Sequence, residues 1–278
     1  MQAMNVDLHC HSVASDGLLQ PEDLLARAAA KGVDMLALTD HDETAGLASA
    51  RAKAVSHGIR FVDGVEISVT WQGATIHIVG LQIDPENEAL KEGLETLRSS
   101  RAVRAARIGE ALEQAGIRGS LAGAMSYVGN PKIIGRTHFA RFLVGIGRAP
   151  DVKSVFRRYL VKGTPGYVPH QWASLCDAVD WIRASGGVAV LAHPGRYKLG
   201  SAERRLLLAE FKERGGAAIE VVTGSHTPTQ YGEFAKLARE FGLLASRGSD
   251  FHGDAGSRAD LGALPPLSAD LQPVWRDW

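Results

Sequence analysis

Histidines and carboxylates gather at a few points along the 278 residues. His9 and His11 are followed by Asp16; Asp40, His41 and Asp42 are consecutive. Glu66 stands in Gly64-Val65-Glu66 and His77 in Ile76-His77-Ile78. His193 sits in Ala192-His193-Pro194, and Asp250 and His252 close the series in Gly248-Ser249-Asp250-Phe251-His252. A pair spaced i, i+2 in an extended segment projects both side chains from one face, because a strand repeats every two residues. His9/His11 and Asp250/His252 both have that spacing. Imidazole and carboxylate donors together suit divalent ions such as Zn, Mn and Fe. His9, His11, Asp16, His41, Glu66, His77, His193, Asp250 and His252 are too many for one ion, which takes about four to six ligands. Two or three ions sharing a bridging carboxylate is the natural count. Taken singly, several of these residues have plainer uses. Asp16 before Gly17 suits a turn, and Asp42 suits a helix N-cap before Glu43–His57. Glu66 in an apolar strand has the weakest plain explanation, because an unpaired buried carboxylate is expensive.

The elements that must position these groups alternate. Asn5 to His9 reads as a strand, and Pro21 to Lys31 as a helix with Pro in its first turn and Gly32 just past its end. Val33–Leu38 is strand-like, Glu43–His57 helical and ended by Gly58, and Ile59–Val62 a strand. Val65–Val69 and Thr75–Ile83 read as two more strands joined at Gln72-Gly73. After Pro85 the pattern turns helical: a long stretch over Glu86–Gly116, then shorter ones near Ser120–Val128, Thr137–Gly145 and Asp151–Tyr159. Alternation resumes with helix Ser174–Ala184, strand Val188–Ala192, helix Ala202–Arg214, strand Ala217–Val222, helix Thr227–Phe241 and strand Leu243–Ser246. The expectation is an α/β barrel-like domain with a largely parallel sheet, built from residues 1–85 and 171–278 and carrying a mainly helical insertion at 86–170. In such folds the site forms at the carboxyl ends of the parallel strands. Residues around Pro265-Pro266 read as a covering tail, and Met4 as an alternative start that makes Met1–Ala3 dispensable.

Composition narrows the classes. Thirty-one basic and 31 acidic side chains balance to zero, which leaves no global basic surface to hold long nucleic acid. Apolar content of 45% is ordinary for a globular chain and excludes a charge-driven disordered one. No apolar run is long enough to span a membrane, and no basic-then-apolar leader opens the chain. Cys10 and Cys176 make no disulfide framework, which points to a cytoplasmic location.

The segments Asp7-Leu8-His9-Cys10-His11-Ser12 with Ser15-Asp16-Gly17, Thr39-Asp40-His41-Asp42, Gly64-Val65-Glu66, Ala192-His193-Pro194 and Gly248-Ser249-Asp250-Phe251-His252 resemble the four motifs of the PHP (polymerase and histidinol phosphatase) family, in order along nearly the whole chain. The resemblance implies a distorted (β/α)7 barrel of the PHP type with a metal centre that hydrolyses phosphoesters. Carried over residue by residue, it implies one ion on His9, His11, Glu66 and Asp250, a second on Asp16, His41 and His252, and a third on His77 and His193 with Glu66 bridging. Mn is the expected metal, with Fe or Zn compatible. The helical insertion and its arginines resemble the small stand-alone members, which act on nucleoside 3′,5′-bisphosphates and on the 5′ ends of short oligonucleotides. Histidinol-phosphate phosphatase is the competing activity, and a non-catalytic PHP module, as attached to some DNA polymerases, the competing class. The intact donor set argues against the module.

Metal clusters lower the pKa of a shared water and neutralise phosphoryl oxygens during in-line displacement. Asp7 and Asp40 are candidates to fix the imidazoles from behind, and His226, after a strand in Thr223-Gly224-Ser225-His226, is the candidate general acid. Arg98, Arg101, Arg104 and Arg107 recur every three residues on the long predicted helix, so neighbours such as Arg101 and Arg104 share a face. A second phosphate needs a cationic site away from the metals, and Arg supplies a bidentate fork. Arg101, Arg104, Arg136 and His138 are the expected substrate-binding residues, and a small phosphorylated nucleotide or short oligonucleotide the expected partner. Cys10, between two ligand candidates, should point into the core.

Overall fold

A computed structural model describes residues 4–254 and 257–278; the reading of Met1–Ala3 lies outside them. Seven strands form one sheet in chain order: β1 (Val6–Asp7), β2 (Met35–Leu38), β3 (Arg60–Trp71), β4 (Ala74–Leu81), β5 (Val188–Leu191), β6 (Ala218–Thr223) and β7 (Leu244–Gly248). β1–β2, β2–β3, β5–β6 and β6–β7 pair parallel. The sheet curls nearly into a barrel. Leu8 N donates to Arg247 O at 2.9 Å, Asp250 N to His9 O at 2.8 Å and His11 N to Phe251 O at 2.9 Å, so the first and last strands meet just above the site.

Two features depart from the expected strands. Ile59–Val62 and Val65–Val69 are one continuous β3, and β3–β4 and β4–β5 pair antiparallel. The sheet is therefore mixed. Gln72 (φ 45) and Gly73 (φ 78) make the tight two-residue hairpin turn expected there. Gly64 does not break the strand. A Cβ there would lie 3.0 Å from both Gly80 O and Leu38 O, so the residue is glycine to let three strands close up.

Helices pack outside: α1 (Pro21–Ala30), α2 (Leu47–His57), α3 (Glu88–Gln114), α4 (Ser120–Met125), α5 (Arg136–Gly145), α6 (Val152–Val155), α7 (Leu175–Ala184), α8 (Ser201–Glu213) and α9 (Pro228–Phe241). Their ends follow local chemistry. Ser174 caps α7 and Thr227 caps α9, each in a reciprocal box with the residue three further on. The segment after α6 is a single π turn, Phe156–Leu160, in place of a longer α-helix. α2 begins at Leu47, four residues later than expected, because Glu43 Oε1 accepts from Thr44 N and Ala45 N and Asp42 is engaged elsewhere.

Three apolar clusters hold the molecule. One fills the barrel with Leu8, Met35, Val62, Leu81, Val190 and the tail residue Val274. That tail runs beside β7, with Val274 N donating to Ala245 O at 2.9 Å. A second lies between sheet and helices. The third belongs to the helical segment and includes Ile108, Leu112, Phe139, Leu143 and Leu160. α3 serves two of them: Leu90, Leu94 and Leu97 pack with the barrel helices, while Ala105, Ile108 and Leu112 pack in the helical segment.

Candidate metal centre

All nine expected donors converge at one mouth of the barrel. His9 and His11 follow β1, His41 follows β2, His193 follows β5, and Asp250 and His252 follow β7. Glu66 lies within β3, at the level where Glu66 N donates to Asp40 O (3.1 Å) and Asp42 N to Glu66 O (2.9 Å). His77 is near the start of β4, opposite Ser68. Because β4 runs antiparallel, its beginning lies at the same mouth as the other strands' carboxyl ends.

Glu66 is fully buried and central. Its Oε1 is 2.8 Å from both His77 Nδ1 and His193 Nε2. Its Oε2 is 2.9 Å from His41 Nδ1 and 3.3 Å from both His9 Nε2 and His11 Nε2. Asp250 Oδ1 is 3.4–3.5 Å from the His9, His11 and His252 rings. Asp16 Oδ1 is 3.2 Å from His252 Nε2. Donors each about 2.1 Å from one ion stand roughly 3 Å apart, and these separations match. The donor atoms fall into overlapping sets: His9/His11/Asp250, His11/Asp16/His41/His252, His9/Glu66/His193 and His41/Glu66/His77. Asp16 Oδ1, His41 Nδ1, Glu66 Oε2 and Asp250 Oδ1 are buried without a hydrogen-bond donor or acceptor to satisfy them. Such atoms are expensive unless something neutralises them, and divalent cations fit that need. The cluster is able to bind metal ions.

The electrostatics agree. Burial would lift the carboxyls of Glu66, Asp16 and Asp250, yet the imidazoles around them hold all three well below the usual carboxylate range. Burial pulls His77 and His193 down to about 4, which keeps them neutral as ligation requires. Strain concentrates here too. His193 (φ 27), Asp250 (φ 57) and Asp42 (φ 51) are left-handed non-glycine residues at this mouth.

The expected support for the imidazoles is corrected. Asp40 accepts from Ser12 N (2.8 Å), Ser12 Oγ (2.7 Å) and Ser15 Oγ (2.6 Å), and Asp7 from Ser249 N (2.7 Å) and Gly262 N (2.9 Å). Both tie down the loops that carry donors and neither touches a ring. Glu220 on β6 does: its Oε1 is 2.7 Å from His9 Nδ1. Spacing did not single it out, although a carboxylate within the apolar run Ala218–Thr223 carries the same signal as Glu66. Cys10 points away, Sγ 3.1 Å from Ala37 O.

Two other expectations do not fit the geometry. His226 has both ring nitrogens engaged with backbone: Nε2 accepts from Gly195 N (2.9 Å) and Nδ1 lies 3.1 Å from Val221 O. Its ring is stacked on Phe234 and burial lowers its pKa. It braces the turn after His193 and has no proton free for a leaving oxygen. His138 is also buried, and its Nδ1 accepts from Gly135 N (3.1 Å), capping α5.

The arginines gather beside the cluster. Arg101 Nε donates to Asp42 Oδ2 (2.9 Å) and its Nη2 to Ser68 Oγ (2.9 Å), next to His41 and opposite His77. Arg104 is buried, with Nε unpartnered and Nη2 3.4 Å from Val168 O. Burial, Arg136 and Arg101 pull it down to about 9, a measure of how poorly the cation is compensated. Arg136 is half-buried, its Nη1 3.3 Å from Leu160 O. Two further cations were not foreseen: Arg141 donates to Asp16 O, and Arg196 lies 2.9 Å from Asp250 Oδ2.

A sequence profile of the PHP domain matches residues 7–231. The chain belongs to the PHP domain family. It is 50% identical over 273 residues to a 3′,5′-nucleoside bisphosphate phosphatase of Chromobacterium violaceum, covering 98% of this chain and 96% of that one. It is 44% identical over 278 residues to the 5′-3′ exoribonuclease Rnm of Escherichia coli, covering 99% and 94%. Among solved structures, a C. violaceum protein described as an amidohydrolase, with bound sulfate, superimposes with a TM-score of 0.95 at 51% identity, covering 98% of this chain and 95% of the other. A Bifidobacterium adolescentis protein assigned to the metal-dependent phosphoesterases gives 0.83 at 29% identity, covering 98% and 94%. The PHP chain has no helix, among its described residues, long and apolar enough to cross a membrane.

Proposed function

We propose that this PHP protein is a metal-dependent phosphoesterase that converts a nucleoside 3′,5′-bisphosphate to the 5′-monophosphate and phosphate, and trims short oligonucleotides from the 5′ end by the same chemistry. One observation carries the reading: a largely buried set of nine metal donors shares its mouth with Arg101 and with Arg104, a buried cation without a carboxylate beside it. The first suits a phosphoryl group under attack and the second a phosphate that is only held. The C. violaceum phosphatase and the E. coli exoribonuclease, similar over nearly the full chain, support it.

Two or three divalent ions, Mn foremost and Fe or Zn compatible, would be held by His9, His11, Asp16, His41, Glu66, His77, His193, Asp250 and His252, with Glu66 shared; bound there, they would supply Lewis acidity and an activated water. The protein's own contributions follow from geometry. Arg101, fixed by Asp42 and Ser68, and Arg104 and Arg136 beside it bind the phosphate that stays. That anchor orients the reacting ester and raises its effective concentration at the cluster. Arg196, beside Asp250 and half exposed, is placed to meet the reacting phosphoryl oxygens. The helical segment 86–170 supplies most of the anchor and the barrel supplies the donors. Free Cys10 and Cys176 accord with a cytoplasmic location.

The test is a substrate panel with added Mn²⁺: a nucleoside 3′,5′-bisphosphate, a 5′-monophosphate, a dinucleotide and histidinol phosphate. Preference for the bisphosphate by kcat/KM supports the reading. Equal or better turnover of histidinol phosphate overturns it, because that substrate gives the arginines nothing to bind.

A further inference from the structure

We infer that Glu220 is the positioning residue of the metal centre, fixing the ring of His9 and the backbone of His193 with the two oxygens of one carboxylate. The inference rests on the reading of the nine-residue cluster as a metal centre. Glu220 is only 1% exposed, in an otherwise apolar strand. A carboxylate in that setting is costly unless donors satisfy it. It has two: Oε1 stands 2.7 Å from His9 Nδ1, and Oε2 accepts from His193 N at 2.6 Å. The pairing of β6 with β7 shifts register between Glu220 and Val222. Strand alternation turns Glu220 to the barrel interior, the side of Ala218, and the shift follows it along the strand.

Each contact has a chemical consequence. An ionised carboxylate only accepts, so the proton of neutral His9 belongs on Nδ1. The Nε2 lone pair then faces Glu66 Oε2 (3.3 Å), Asp250 Oδ1 (3.5 Å) and His11 Nε2 (3.1 Å), the side on which a cation is needed. The second contact holds a strained residue. His193 sits at φ 27, ψ 56, and its N–H is anchored by Glu220 in place of a strand partner. That backbone turn puts His193 Nε2 2.8 Å from Glu66 Oε1. The two rings that Glu220 controls lie stacked, 5.6 Å between centroids, and each reaches one oxygen of the bridging Glu66. One buried carboxylate thus sets the tautomer of one donor and the direction of another. Metal-ligating histidines characteristically give their second ring N–H to such a group.

Glu220→Gln keeps the shape and removes one acceptor. If the amide oxygen faces His193 N–H, its NH2 faces His9 Nδ1, which must become the acceptor and move its proton to Nε2. If the amide flips, two N–H groups oppose each other at His193. Long-range 15N–1H NMR of the histidine rings reads the tautomer directly, and calorimetric titration with Mn²⁺ reads affinity. Expected are a proton on His9 Nδ1 in the metal-free wild type, its loss from Nδ1 in Glu220→Gln, and Mn²⁺ affinity weakened about 10–100-fold with unchanged circular dichroism. A wild-type His9 with no proton on Nδ1 overturns the inference with no variant needed, which covers the case of a variant that fails to fold. Unchanged Mn²⁺ affinity in a folded Glu220→Gln protein overturns it as well. Failure of the wild type itself to bind Mn²⁺ is a different result and sinks the metal-centre reading.

Discussion

Arg101 of the long helix α3 and Asp42 of the loop after β2 form a buried ion pair, joined through Arg101 Nε and Nη2 to the same carboxylate oxygen. The other oxygen, Asp42 Oδ1, accepts from Ser68 N at 2.7 Å. Asp42 therefore ties the helical segment to β3 directly behind the cluster, and it does so from a left-handed backbone (φ 51). In the proposed reading Arg101 binds the phosphate that stays, and this pair holds its guanidinium still.

Asp42→Asn isolates the charge. Asn tolerates the left-handed conformation and can still accept from Ser68 N, so the main loss is the anion facing Arg101. Breaking a buried pair from one side costs about 3–5 kcal/mol, and urea unfolding should show a loss of that order. The double variant Asp42→Asn/Arg101→Met should recover much of it. A double variant no more stable than Asp42→Asn alone would reject the charge-pair account.

Arg104 has no carboxylate partner, and its neighbours Arg101 and Arg136 are cations. Function and stability oppose each other at such a site. Arg104→Met should raise the melting temperature of the ligand-free protein by about 2 °C. It should also weaken nucleoside bisphosphate binding by about 10-fold or more, as loss of a charge-assisted hydrogen bond does, with little effect on a monophosphate. Equal weakening for both ligands would remove Arg104 from the second-phosphate site.

Mn²⁺ should stabilise the fold by mass action. At about 100 times its dissociation constant, one ion contributes about 2.7 kcal/mol, or about 5–10 °C in a chain of this size, reversible by EDTA. Glu66 touches five histidines, so Glu66→Gln should remove most of that shift along with activity. Differential scanning fluorimetry with and without Mn²⁺ checks both. A full Mn²⁺ shift in Glu66→Gln would remove Glu66 from its bridging place.

Much of this site was legible in the sequence because its signals are local. His9/His11 and Asp250/His252 follow apolar strands, and strand ends of alternating folds point to one mouth, so their meeting could be foreseen. Contacts between distant segments could not. Asp42 beside a helical stretch suggests a cap, and nothing nearby betrays a partner 59 residues away. Gly64 reads as a break because glycine commonly is one, whereas its cause is two carbonyl oxygens on neighbouring strands. The antiparallel pairing of β4 with β5 was hidden for another reason: hydrophobic alternation has the same period in either direction. His226 and His138 were placed at the right mouth, but whether a ring nitrogen is free depends on backbone groups that spacing does not reveal.

His138 gives the last prediction, one of pH. Burial, the largest influence, pulls it down to about 4, against the favourable charge of Asp16. A histidine with a depressed folded pKa contributes stability that is present above its unfolded value near 6.5 and lost as pH falls toward the folded value, because the unfolded chain takes up the proton first. The window is therefore about pH 6.5 to 4, and a shift of this size corresponds to on the order of 3 kcal/mol. Protonation would also end the cap at Gly135 N, since the imidazolium has no acceptor. Asn can present an oxygen to Gly135 N without a titrating group. His138→Asn should lose less stability than wild type between pH 6.5 and 4, measured by urea unfolding of the metal-free proteins. Parallel pH profiles for the two would show that His138 is not held neutral by the fold.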